Sequence, residues 1–172
     1  MIKHKIDLAK GKAIYYKYKG DKFGISKDLG EEYNKCHIPK EIEQEWKEDI
    51  ICELINDIKN ETGSLRIDAF MAFVQIVSID DALSCIFEIL NSNSLDTFST
   101  ILICEYLKRF IEESRQFLIT DEQKKYIRQL LERKKSELLS SQITIDSSFK
   151  LLPYMKNYDF SEESIVSRIQ NL

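Results

Sequence analysis

The chain has 172 residues, 43% of them hydrophobic and 31% charged, and a net charge of −4. This composition excludes intrinsic disorder, because the apolar content suffices for a core, and the length fits a single domain over residues 1–172. The longest apolar stretch without a charge, residues 69–79, is too short to span a bilayer.

The first 28 residues alternate apolar and polar side chains, which predicts β-strands. Gly20-Asp21 is typical of a two-residue hairpin turn, and residues 9–11 suit a three-residue turn. The sequence therefore predicts a three-stranded antiparallel meander over residues 1–28, with Tyr15, Lys17 and Lys19 on its outer face. The predicted inner face comprises Ile2, Ile6, Ile14, Tyr16, Tyr18, Phe23 and Ile25.

Near residue 38 the apolar period changes from 2 to about 3.6, which predicts a helical body over residues 38–172. The first helix should run to about residue 61 and bury Trp46 on its inner seam. The other seam residues are Ile42, Ile50, Leu54 and Ile58. The predicted fold class is mainly α with a small N-terminal antiparallel β-sheet, as an irregular stack or bundle of about seven helices.

The later helices have recognisable start and stop signals. Gly63 should end the first helix and Ser64 should cap the next. Further helices are predicted over residues 80–90, 95–113, 121–139 and 147–157, and a last one near the C-terminus. A capping box at Thr120 opens the helix over 121–139, Pro153 should shorten or kink its element, and Asp159 or Ser161 should cap the last helix.

Motifs for catalysis, metals or cofactors are missing from the sequence. It contains two histidines, His4 and His37, no C-x-x-C pair and no glycine-rich phosphate loop. We therefore expect a non-enzymatic protein with no catalytic, metal-binding or cofactor-binding residues, although a pair of carboxylates among the 29 acids could still act. No apolar export segment opens the chain, so we expect a cytoplasmic protein with reduced thiols. The four cysteines are Cys36, Cys52, Cys85 and Cys104.

Charge is distributed unevenly along the chain. Residues 1–28 hold eight lysines and three aspartates, whereas residues 31–61 hold ten acids and four lysines. On the predicted first helix a set of acids lies away from the Trp46 seam and forms either a solvated face or a docking face for a basic partner. These acids are Glu41, Glu45, Glu48 and Asp49.

A second candidate contact lies on the predicted helix over residues 95–113. Phe98 and Ile101 fall on the side of that helix that becomes polar toward its end. Either another element covers them or they form an exposed apolar patch that anchors a partner.

The lysine- and tyrosine-rich stretch over residues 14–24 raises nucleic-acid binding as an alternative. Bases would stack on aromatic side chains while lysines contact phosphates. In the predicted sheet, however, only Tyr15 is an outward aromatic beside Lys17 and Lys19. We therefore expect nucleic acid to bind weakly and non-specifically at most.

The passage GDKFGISKDLGEEY leading to IPKEIEQEW, within residues 20–46, is similar to the openings of some immunity proteins of bacterial toxin–immunity pairs, including contact-dependent growth inhibition systems. That resemblance implies tight binding of a cognate toxin domain, often a basic nuclease, and masking of its active site. It assigns no individual residue a role. Three interpretations stay open: an immunity-type binding protein, a nucleic-acid-associated protein using the basic strands, and a helical scaffold or an enzyme of undetected class.

Overall fold

A computed structural model of the chain describes residues 6–92, 94–112 and 119–172. These residues form nine α-helices and one 3₁₀ turn, with no β-strand among them. The helices are α1 (Leu8–Lys17), α2 (Lys22–Asn34), α3 (Lys40–Asn60), α4 (Gly63–Ile76), α5 (Ile79–Asn91), α6 (Thr97–Glu112), α7 (Asp121–Ser140), α8 (Ser148–Leu151) and α9 (Glu162–Gln170), and the 3₁₀ turn is Pro153–Met155.

The helices group into two compact units. The N-terminal unit comprises Met1–Asn60 with Ala69–Ser78, and the C-terminal unit comprises Glu61–Asp68 with Ile79–Leu172. No helix in the described part of the chain has the length and apolar composition needed to cross a membrane.

The predicted N-terminal sheet is wrong where the structure describes it, because two helices occupy residues 8–34. The Asp7 carboxylate accepts a hydrogen bond from the Lys10 backbone N–H at 3.0 Å and so begins α1. The Gly20-Asp21 turn does reverse the chain, but between two helices: Gly20 has a φ of 76° after α1 and Asp21 is the N-cap of α2. The first strand was predicted in part over residues 1–5, which lie outside the described residues.

The helical outcome has a physical reason in the same residues. Gly11, Ile14 and Tyr15 have the i, i+3, i+4 spacing of one helix face, and all three are buried. Gly11 also allows close packing, because a Cβ built there would lie 2.4 Å from Cδ1 of Ile38. The alternating pattern indicates only a preference for strands, and such preferences depend strongly on tertiary context.

Side-chain orientation in this segment follows the helices rather than the predicted sheet. Tyr15, predicted to face outward, is 1% exposed, whereas Phe23, predicted to face inward, is 79% exposed. Tyr16 and Tyr18 are half-buried.

The long helix α3 confirms the predicted seam. Trp46 and Ile50 are buried, as are Leu54 and Ile58 one and two turns later. Helix α1 packs against α2 and α3, and its Tyr15 ring lies 5.8 Å from the Trp46 ring between centroids. The core of the N-terminal unit is therefore aromatic where these three helices meet.

In the C-terminal unit, α6, α7 and α9 pack together. The predicted capping box is confirmed, since Thr120 and Gln123 exchange side-chain and backbone hydrogen bonds at the start of α7. Ser161, one of the two predicted caps, accepts a hydrogen bond from the Ser164 N–H at the start of α9. Pro153 does interrupt its segment, which is divided between α8 and the 3₁₀ turn.

The start of α4 differs from the prediction. Gly63 has a φ of 52° and begins the helix, and the backbone N–H of Ser64 donates to the Ser148 hydroxyl at 2.9 Å, so the capping oxygen comes from a residue distant in sequence. A Cβ on Gly63 would lie 2.3 Å from that hydroxyl.

Candidate binding surface

The outer side of α3 has a row of carboxylates. At 100° per residue, Glu41, Glu45 and Glu48 fall opposite the buried Trp46 seam, and all three are exposed. Glu48 accepts a hydrogen bond from the Gln44 side chain at 2.9 Å. We define the acidic face as Glu41, Glu45, Glu48 and Asp49.

The acidic face has few intramolecular cation partners. In the described ranges none of the four carboxylates of the face forms an ion pair. Asp49 lies on the flank toward α1 and accepts a hydrogen bond from the Tyr16 hydroxyl at 3.2 Å. Burial and this hydrogen bond raise the pKa of Tyr16, so the phenol stays protonated and remains a donor. Glu41, Glu45 and Glu48 thus point to solvent, while Asp49 is tied to α1.

The inner flank of α3 is neutralised by the N-terminal helices. Glu43 accepts a hydrogen bond from the Tyr33 hydroxyl at 2.7 Å and forms an ion pair with Lys22. Burial, followed by the hydrogen bond to Glu43, raises the pKa of Tyr33. Glu43 therefore has a local structural function, and the sequence could not assign it because both partners belong to the segment predicted as a sheet and its connection.

One exposed thiol lies on the outer side of α3. Cys52 is four residues after Glu48, which places it one turn further along the same side, and it is a free, exposed cysteine. Cys104, by contrast, is buried, and burial raises the pKa of its thiol to about 12 although the positive charge of Lys134 opposes the shift. Cys104 is therefore a protonated core residue, while Cys52 provides a site for a chemical probe.

The predicted apolar anchor is not at the surface. Phe98 and Ile101 are fully buried, and the Phe98 ring lies 4.9 Å from Phe149 and 5.4 Å from Tyr158 between centroids. The guanidinium of Arg168 covers the same ring at 5.1 Å. Other elements therefore cover this side of α6, which was one of the two alternatives. Phe98 and Ile101 contribute to the core and not to the candidate surface.

Exposed lysines lie on α1, on α2 and in the turn between them in the same N-terminal unit; they are Lys10, Lys12, Lys17, Lys19, Lys22 and Lys27. Two of them form ion pairs with acids, Lys10 with Glu32 and Lys22 with Glu43. The exposed ring of Phe23 follows Lys22 directly. The sequence could not predict on which side of each helix these lysines and Phe23 lie, because the segment was predicted to form strands.

In the described part of the chain, no group of three or more histidine, cysteine or acidic side chains is placed to hold a metal ion. Comparison with models of protein families, with curated proteins and with solved structures found no match to this chain.

Proposed function

We propose that this chain is a non-enzymatic binding protein whose acidic face docks a basic protein partner. The observation that supports the proposal is the row of exposed carboxylates Glu41, Glu45 and Glu48 on the side of α3 opposite its buried seam. A 21-residue helix anchored by Trp46 fixes the spacing of the backbone that carries those charges, so this backbone needs no ordering on binding.

The partner class follows from the charge and from the resemblance to immunity proteins. In this proposal the partner is a toxin domain with a basic surface, such as a nuclease, and the chain neutralises it in the cytoplasm by covering its active site. Three exposed carboxylates accelerate the encounter with a basic surface, and the acceleration decreases as salt screens the charges.

A cross-linking experiment at Cys52 identifies the partner. A photoreactive maleimide on Cys52 places the reactive group one turn from Glu48, and irradiation in the native cell extract should attach a basic protein. The Cys52→Ser variant, treated identically, is the background control. A cross-linked partner that is acidic would contradict the proposal.

Association kinetics then test the mechanism with the captured partner. The variant Glu41→Gln, Glu45→Gln, Glu48→Gln should associate roughly tenfold more slowly at low salt, with little change in dissociation rate, because such charges act mainly on encounter. The matched control neutralises three exposed acids of the C-terminal unit, Glu112, Glu132 and Glu163, and so changes the net charge equally. Equal association rates for the two variants would refute docking on the acidic face.

The immunity function has its own readout, which is protection of cells that produce the partner toxin. Co-expression of the chain should restore growth, and the acidic-face variant should restore it less than the control variant does. If the partner is basic but harmless to cells, the binding proposal stands and the immunity proposal fails.

Nucleic-acid association is a second candidate, favoured by the exposed Phe23 ring and the exposed lysines of α1 and α2. A base could stack on this ring while neighbouring lysines contact phosphates. Fluorescence anisotropy with a labelled single-stranded oligonucleotide tests it. Binding tighter than about 1 μM at physiological salt, weakened by Phe23→Ala, would favour this candidate, since non-specific binding lies near 10⁻⁴–10⁻⁶ M.

A further inference from the structure

A surface pocket of about 450 Å³ lies in the C-terminal unit between α5, α6 and α7. Four apolar residues contribute to its lining, Ile89, Leu90, Leu95 and Leu138. Its polar lining comes from Thr100, Lys134, Glu137 and Ser141. The volume lies within the range of about 300–1,000 Å³ that small-molecule sites occupy.

Lys134 is the unusual member of this lining, because it is a lysine only 7% exposed. Its ammonium donates to Oε2 of Glu137 at 2.7 Å, and Glu137 is the one acceptor that the described residues offer it. A lysine ammonium has three N–H donors, so two remain for a ligand or for water. Burial of a charged group is costly unless its hydrogen bonds are made. A ligand that accepts a hydrogen bond from the Lys134 ammonium would therefore gain considerable binding free energy.

The charge around the pocket favours an anion. The Glu137 carboxylate lies between two cations, with Lys134 Nζ at 2.7 Å and Arg133 Nε at 3.7 Å. The charged groups of the lining itself are Lys134 and Glu137, and Glu137 divides its interaction between Lys134 and Arg133, so part of the Lys134 charge is left for a ligand. A neutral ligand would gain only from the apolar lining, whereas an organic anion would gain from both.

We propose that this pocket binds a small amphipathic carboxylate, with the carboxylate at Lys134 and the hydrocarbon chain against the leucine and isoleucine lining. Thr100 and Ser141 donate their hydroxyl protons to the backbone oxygens of Asp96 and Leu138, so Lys134 supplies the donors for the carboxylate. The site does not include the acidic face, so this proposal does not rest on the binding function proposed above.

Octanoate is the probe, and octan-1-ol is the uncharged probe of equal chain length. In a ¹⁵N–¹H NMR titration of the full chain, octanoate should shift the amide signals of Leu95, Thr100 and Leu138. The expected dissociation constant is on the order of 10⁻⁴–10⁻³ M, as suits a ligand with so few atoms. Octan-1-ol should bind at least about tenfold more weakly, because it lacks the charge-assisted hydrogen bond to Lys134.

Two variants of the pocket should change the affinity in opposite directions. Lys134→Met keeps the length of the side chain without its charge and should weaken octanoate binding about tenfold or more. Glu137→Gln removes the competing carboxylate and should strengthen binding several-fold. Lys125→Met, which removes an exposed lysine of the same helix, is the matched control and should leave the affinity unchanged.

The proposal is overturned if octanoate shifts no amide signals of the pocket at millimolar concentration. It is equally overturned if the alcohol binds as tightly as the carboxylate, which would indicate an apolar depression without a site for the charge. Equal losses in Lys134→Met and Lys125→Met would show that octanoate responds to net charge and not to this pocket.

Discussion

Trp46 is the side chain whose removal should most clearly damage the N-terminal unit. It is 7% exposed on the seam of α3, and its ring contacts Tyr15, which in turn lies 6.2 Å from the ring of Tyr33 between centroids. Truncation to alanine leaves a cavity beneath α1 that helices fixed by tertiary contacts can fill only in part. We expect Trp46→Ala to lower the free energy of unfolding by about 3–5 kcal/mol.

Urea unfolding followed by far-ultraviolet circular dichroism measures this loss. With a dependence on urea of about 2 kcal/mol per molar, the midpoint should fall by about 1.5–2.5 M. Because the chain contains one tryptophan, the fluorescence of the unsubstituted protein reports on the N-terminal unit specifically. That fluorescence should show the emission of an indole shielded from water and should shift to longer wavelength on unfolding.

Trp46→Phe provides the matched control, because it keeps an aromatic ring against Tyr15 and should cost clearly less than the alanine variant. If Trp46→Ala lowers the free energy of unfolding by less than about 1 kcal/mol, Trp46 does not fill a space that becomes a cavity on its removal, and its assignment to the core is refuted. An emission maximum of water-exposed indole in the folded protein would refute that assignment as well.

Three further predictions concern backbone conformation and titration. Lys19 has a φ of 47°, so Lys19→Gly should raise the midpoint of thermal unfolding, whereas Ala13→Gly within α1 should lower stability by about 1 kcal/mol. Gly63→Ala should destabilise by more than about 2 kcal/mol, because it combines a positive φ with a clash against Ser148, and a calorimetric change near zero would contradict this. The raised pKa of Tyr33 means that its stabilising contribution is complete below the ordinary tyrosine pKa of about 10 and is lost as the pH rises further. Tyr33→Phe should therefore weaken the decline of stability above pH 10, as measured by urea midpoints at several pH values, and an unchanged decline would contradict the assignment.

The parts of the fold that the sequence predicted depend on local signals. The capping box at Thr120 and the proline at position 153 set the ends of their elements through contacts within a few residues. The Trp46 seam repeats every four residues over three turns, and the positions midway between its members, such as Gln44 and Glu48, are polar, whereas a strand would place them on the same face as the seam. Such features are readable because the interactions that fix them lie close together in the chain.

The N-terminal segment was predicted wrongly because its local signals are ambiguous. A glycine followed by an aspartate suits a hairpin turn, and it equally suits the end of one helix and the N-cap of the next. Contacts distant in sequence decide between the two: Gly11 packs against Ile38, and the Tyr16 hydroxyl reaches Asp49. The same lack of tertiary information left Phe98 undecided between a surface patch and the core.

The charge asymmetry along the sequence acquires a different meaning once the helices are in place. Residues 1–60 contain twelve lysines and twelve acids, so the N-terminal unit has no net charge, and its basic and acidic segments are partners of each other. Glu43 and Asp49 lie on the flanks of α3 that face the N-terminal helices, and these are the acids that receive Lys22 and Tyr16. Exposed pairs of this kind contribute little stability each, so they act mainly by fixing how α1 and α2 lie on α3.

Glu41, Glu45 and Glu48 stay at the surface because the helical period directs them away from the contact of α3 with α1 and α2. The size of the acidic face is therefore determined by which side of α3 each acid lies on, and not by the number of acids in the segment.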